Sequence, residues 1–231
     1  MPKSQSDDTI PNQVFVGAPW RTVRPKYERA IAALRKKRPL SFVIVGREEN
    51  QEAEDLLQLI KDRILASSYA IFDATYGNPN VSLEYGFAEA HDIQRVLYLS
   101  THAAAQKARD PAIIADLAGK KRNHYSQEKK LLELLSKFAA RHPYTLRFER
   151  FLTSKYKKAS KGKKHRARTL ALKVIHSLDG ARELRRFDIV QALLADPSSY
   201  TQEELDTMIL RLHQAGLIQS QQGPHSKVRV A

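Results

Sequence analysis

The stretch Asp73-Ala-Thr-Tyr-Gly-Asn-Pro-Asn-Val-Ser-Leu-Glu84-Tyr-Gly-Phe-Ala holds the residue types best able to do chemistry. Asn78 followed by Pro79 marks a helix start, because Asn accepts from the first free amides and proline lacks an N–H that would go unpaired there. The remaining free amides favour an anion. Glu84 lies about one and a half turns further on, on the face it shares with Asn80. A carboxylate so placed suits charge stabilisation or nucleophilic attack. Asp73 ends a β-rich run and faces the same crevice, and Gly86 leaves room for a close approach. Each residue also has a plainer reading: Asn78-Pro79-Asn80 as a cap alone, Glu84 as an exposed carboxylate favoured by the helix dipole, Asp73 as a cap for its own loop.

A second group follows the first apolar run. Gly17, Ala18, Pro19, Trp20 and Arg21 make a turn, and Arg24 opens the next helix. Arg21 and Arg24 suit a phosphate or carboxylate clamp, or stand as solvated first-turn residues. Trp20 suits stacking on a base, or packing. Gly17 to Arg21, Asp73, Asn78, Asn80 and Glu84 are expected to line one pocket.

The elements that would bring them together are legible as alternating patterns. Val14–Val16, Phe42–Val45, Ala70–Phe72 and Val96–Leu99 are continuous apolar runs, and Arg122–Tyr125 adds a fifth strand. Between them Tyr27, Ile31 and Leu34, then Leu56 to Ile64, recur at helical spacing. Further helices are expected over 79–92 and 127–140. Unbroken apolar strands are buried on both faces, and helical crossovers then require a doubly wound parallel sheet. The expected fold is therefore α/β, a five-stranded parallel sheet of flavodoxin-like type. Ligands of such sheets bind beyond the carboxyl ends of the strands, which is where both groups fall.

The net charge of +14 is uneven. Residues 151–168 hold Lys155, Lys157, Lys158, Lys161, Lys163, Lys164, Arg166 and Arg168 with no acidic residue, whereas residues 169–231 are balanced. This segment reads as a basic linker that attracts nucleic acid by counterion release, or as a solvated connector. Beyond it, apolar runs at 170–178 and 189–194 and a capping box at Thr201–Glu204 predict three helices. Leu217-Ile218 and Val228–Val230 would pair across Gln222-Gly223-Pro224. The expected domains are thus 1–150, α/β; 151–168, linker; and 169–231, a small winged helix. Glu203, Glu204 and Asp206 open its third helix, which argues against major-groove reading by that helix.

The chain has no cysteine, which excludes disulfides and thiolate chemistry, and its eight histidines are scattered, so no metal and no cofactor are expected. No membrane-length apolar segment or signal peptide is read, and the expected location is cytoplasmic.

Residues 13–145 resemble the bacterial TIR-like nucleotide-binding proteins and the related nucleoside 2-deoxyribosyltransferase-like superfamily. The likeness is carried by the Gly/Pro turn after the first strand, by Asp73-x-Thr75, and by Asn78-Pro-Asn-Val-x-x-Glu84-x-Gly86; the segment Asp116–Tyr125 is also similar. Tyr85 stands where those families commonly have Leu. The resemblance implies that Glu84 is the catalytic carboxylate and that Asp73 and Asn80 orient a sugar. Breaking a C1′–N bond passes through an oxocarbenium-like state that a carboxylate stabilises or traps. The implied activity is hydrolysis of the N-glycosidic bond of NAD or a related nucleotide. NAD suits it because nicotinamide departs from a ring that is already cationic. In domain order the chain is similar to some retron-associated defence effectors, which implies an anti-phage or toxin role. The implied partners are a nucleic acid, a further copy of the chain or a defence-system protein. The competing expectation is a nucleotide sensor that binds nucleic acid without catalysis.

Overall fold

Alternation of buried apolar runs with amphipathic helices produces the α/β order. The computed structural model describes residues 9–20, 23–45, 53–102, 121–180, 183–195, 200–220 and 226–231. The chain divides into two compact units, Met1–Leu34 with Phe42–Phe138, and Arg35–Ser41 with Ala139–Ala231.

Up to Arg141 the elements are β1 (Ile10–Gly17), α1 (Arg24–Arg35), β2 (Ser41–Val43), α2 (Ala53–Leu65), β3 (Ser67–Asp73), α3 (Pro79–Ala90), β4 (Arg95–Ser100), β5 (Arg122–Tyr125) and α4 (Glu128–Arg141). The sheet order is β2-β1-β3-β4-β5, all parallel. This is the doubly wound order that changes direction between β1 and β3. The central strands are sealed on both faces: Val14, Phe15, Val16, Ala70, Ile71 and Phe72 expose 1% or less of their surface. From α3, Val81, Tyr85 and Ala88 join Phe15, Phe72, Leu97 and Leu99 in one cluster. Tyr85 is thus a core residue whose ring meets Phe72 edge-on at 5.5 Å.

The segment read as a linker is largely helical. It contributes the end of α5 (Pro143–Lys155) and the first half of α6 (Lys161–His176). His142 caps α5, its Nδ1 accepting from the Tyr144 N–H at 3.2 Å, with Pro143 in the first turn. Tyr144, Phe148 and Phe151 form the buried stripe. Ser160 caps α6, accepting from the Lys163 N–H at 3.3 Å, and Ala167, Leu170, Ala171, Val174 and Ile175 are buried. One apolar stripe is enough to hold a helix whose other faces are charged, so the charge run did not prevent helix formation.

The same unit continues through β6 (Leu184–Arg185), α7 (Arg186–Leu194), α8 (Gln202–Gln214), β7 (Ile218–Ser220) and β8 (Lys227–Val230). The short strands pair antiparallel in the order β6-β8-β7. The Thr201–Glu204 capping box forms as expected, and Gly216, at φ +63°, ends α8. The expected turn at 222–224 and the segment 116–120 lie outside the described residues. Among the described residues no helix is long and apolar enough to cross a membrane.

Candidate functional site

The loop from β3 to α3 is built by local chemistry. Asp73 ends β3, and Thr75 donates its N–H to Asp73 Oδ1 at 2.9 Å. Tyr76 and Gly77 follow at φ +67° and +63°. A tyrosine in that region is strained, and the turn it makes aims the chain into α3. Asn78 then caps α3, its Oδ1 accepting from Asn80 N (2.9 Å) and Val81 N (3.4 Å). The Asn78 side chain therefore serves the cap, and Asn80 is exposed on the first turn.

About one and a half turns into α3, Glu84 directs its carboxyl group to the β1/β3 switch point. Gly17 is paired with Phe72 there, and a methyl group on Gly17 would overlap Glu84 Oε2 and lie 2.8 Å from Phe72 Cδ1. Glu84 Oε2 is buried with no hydrogen-bond partner. Burial without compensation disfavours the charged form, and the acid is pushed up from the usual 4.5 to about 7. A buried carboxyl group left unsatisfied in this way is a candidate for contact with a ligand, since carboxyl groups that only brace a fold are normally satisfied.

Asp73 lies in different surroundings. It is fully buried, and its Oδ2 accepts from Tyr27 at 2.9 Å and Tyr125 at 2.7 Å. Desolvation raises its pKa against the opposing pull of these hydrogen bonds. Thr75 Oγ1 in turn accepts from the Ser100 N–H at 2.8 Å. The network joins the ends of β3, β4 and β5 to α1. With no exposed surface, the Asp73 carboxylate does not fit a sugar-orienting role; of the two readings, the loop brace is the one the geometry supports. In the sequence neither Tyr27 nor Tyr125 stands out as a polar residue, because hydrophobic periodicity explains Tyr27 and a strand end explains Tyr125. The Asp73-x-Thr75 pattern is the part of the network that the sequence carries locally.

On the other side of the switch point, Ala18 is partly exposed and Pro19 buried. Pro19 O accepts from Val23 N and Arg24 N, both at 3.2 Å, which fixes the turn into α1. Trp20 is 44% exposed, and the Arg24 guanidinium stacks on its ring at 3.8 Å. Arg24 Nε donates to Glu28 at 2.6 Å, while its Nη1 is buried without a partner. Arg21 lies outside the described residues. At the far end of the same edge a polar cleft of about 440 Å³ is lined by Thr101, His124, Tyr125, Gln127, Lys129 and Lys130, among others, a size usual for small-ligand sites.

The eight basic candidates separate into two kinds. Arg166 forms a two-pronged pair with Glu204, both contacts 2.9 Å. Arg168 donates to both oxygens of Glu149 and to the Lys37 carbonyl. These two arginines hold their own unit together. Lys155, Lys157, Lys158, Lys161, Lys163 and Lys164 are all exposed.

Comparison with known proteins finds no family model that matches the chain and no curated protein similar to it.

Proposed function

We propose that the α/β domain hydrolyses an N-glycosidic bond of NAD or a related nucleotide, with Glu84 as the reacting carboxylate. The observation that carries this is the buried, unpartnered Glu84 Oε2 over Gly17 at the switch point. In the reaction the C1′–N bond breaks, its electron pair returns to the nicotinamide nitrogen, and the ring leaves neutral. Positive charge gathers at C1′ and the ring oxygen, where the Glu84 carboxylate stabilises it or closes on C1′ as an ester. Water then adds to C1′, breaking the C1′–O bond to Glu84 where the ester has formed and restoring the carboxylate, and its proton passes to solvent, leaving the ribosyl product. A cationic substrate favours ionisation of a carboxyl group held near pH 7, so binding NAD would prepare its own catalyst. Trp20 suits stacking on a base, and Arg24 suits a phosphate.

For the other unit we propose a winged helix, on its order of helix, strand, two helices and a two-stranded hairpin. Its proposed role is to bind nucleic acid or a partner that controls the first unit, as in a defence effector or toxin.

Incubating the purified chain with NAD, NADP, nucleotides and deoxynucleotides, and resolving released base by chromatography, tests the activity. Base release lost in Glu84→Gln supports the hydrolase. Tight nucleotide binding with no base release in any condition, nucleic acid included, replaces it with the sensor.

A further inference from the structure

We infer that the corner joining α5 to α6 is a phosphodiester-binding surface, centred on a cleft formed by Arg150, Thr153, Ser154 and Lys157, and that it takes the backbone of a duplex irrespective of base sequence. The inference rests on the nucleic-acid reading of this unit and narrows it to one surface and one mode.

The cleft, about 680 Å³, runs along one face of α5 from Leu146 to Lys157. Arg150, Thr153 and Ser154 fall at i, i+3 and i+4 and so share that face, and Lys157 closes it from the following turn. Two cations and two hydroxyls are the donor set that protein–DNA interfaces direct at phosphate oxygens. The carboxylate in the lining, Glu149, does not oppose an anion, because Arg38 (3.1 Å) and Arg168 (2.9 Å) already bind it. Arg150 belongs to no charge run, and only the fold joins it to the lysines.

Lys155 and Lys158 are exposed beside the cleft residues in sequence, and Lys161, Lys163 and Lys164 are exposed in the first turn of α6. That turn has no acidic residue, so its lysines stand against the positive end of the helix dipole. None of these seven cations has an ion-pair partner among the described residues. Glu203 and Glu204 share a second cleft with Lys163; for the other six cations a polyanion relieves a repulsion that no ion pair among the described residues offsets.

Recognition of single strands relies on exposed aromatic faces. Tyr156, the aromatic residue at this corner, is instead occupied by Phe151 edge-on at 6.2 Å and by Arg211, which donates to its hydroxyl at 2.9 Å. Base reading from α8 is also withheld. Its opening carboxylates Glu204 and Asp206 are bound to Arg166 and Arg186, and those arginines are thereby withdrawn from a groove.

The test is a binding titration of the full chain against a short DNA duplex, an RNA duplex and a scrambled DNA duplex, at several salt concentrations. With all seven cations on phosphates, the logarithmic salt slope on DNA approaches about −6, by about 0.9 per contact. Arg150→Ala with Lys157→Ala should make it shallower by about 2, and alanine at Lys161, Lys163 and Lys164 by about 3. Arg166→Ala should leave it unchanged, and scrambled DNA should bind equally. A wild-type slope in the Arg150/Lys157 variant overturns the cleft assignment while leaving nucleic-acid binding intact. Displacement of the duplex by inorganic phosphate at matched ionic strength also overturns it, by revealing a small-anion site. Tenfold preference for one sequence overturns the sequence-blind mode. Absence of binding to any duplex overturns the inference together with the nucleic-acid reading beneath it.

Discussion

Gly17 and Glu84 compete for one space: the Glu84 carboxyl group lies where a side chain on Gly17 would project, with Phe72 closing the other side. The glycine is required by a neighbour's side chain and not by its own backbone angle. It makes Gly17 a positioning residue for Glu84, beyond any contact with a ligand.

Gly17→Ala should therefore act through Glu84. Overpacking against Phe72 should cost roughly 1–3 kcal/mol of stability. Displacement of the carboxylate by about 1 Å should lower base release by on the order of 10²-fold. Thermal melts beside turnover assays separate the two effects. Full activity in a folded Gly17→Ala protein would show that Glu84 does not need this position.

Glu84 gives a pH dependence of definite sign. Its folded pKa, about 7, lies above its unfolded value, so the folded state holds the extra proton between roughly pH 4.5 and 7. Stability is lost as pH rises through that window, by on the order of 3 kcal/mol. Glu84→Gln should accordingly raise the melting temperature at pH 8 and leave it nearly unchanged at pH 4. If the carboxylate reacts, turnover should climb with pH through about 7 and fall by on the order of 10²–10³ in Glu84→Gln. A melting difference independent of pH would contradict the burial argument.

The brace around Asp73 predicts a different phenotype. Tyr125→Phe or Tyr27→Phe leaves a fully buried carboxylate with one donor fewer, at a cost of roughly 1–3 kcal/mol. Chemical denaturation of both variants measures it. Because Asp73 meets no solvent, the variants should lose stability more than nucleotide affinity. The reverse pattern would return Asp73 to the ligand.

His142 makes the second unit acid-sensitive. Burial lowers its pKa from 6.5 to about 4, so the unfolded chain binds the proton first as pH falls. The stability this contributes is complete above about pH 6.5 and is lost on acidification toward 4, by on the order of 3 kcal/mol. His142→Asn keeps a side-chain cap without the titration, and its stability should be flatter across that range. Parallel curves for the two proteins would rule His142 out as the acid-sensitive group.

Cellular toxicity tests the proposed role independently of purified activity. Overexpression should arrest growth and deplete the nucleotide substrate in wild type but not in Glu84→Gln. Equal arrest by both would detach any toxicity from Glu84.

The layout of the α/β domain was legible in the sequence because its signals are local. Unbroken apolar runs such as Val14–Val16 and Ala70–Phe72 mark strands covered on both faces, and Asn78-Pro79 starts a helix by chemistry confined to one turn. The strand ends, and the Glu84 helix beside them, followed from that pattern. What the tertiary structure alone decided are relations between distant residues. Asp73 and Glu84 look alike in sequence as carboxylates near one edge. Packing gives Asp73 three hydrogen-bond donors from α1, β5 and its own loop, and leaves Glu84 Oε2 with none. The basic segment divides in the same way, since Arg166 and Arg168 find carboxylates 38 and 19 residues away while its lysines remain in solvent. Composition counts charge, but whether a charge is free or paired depends on which side chains the fold places within hydrogen-bonding distance.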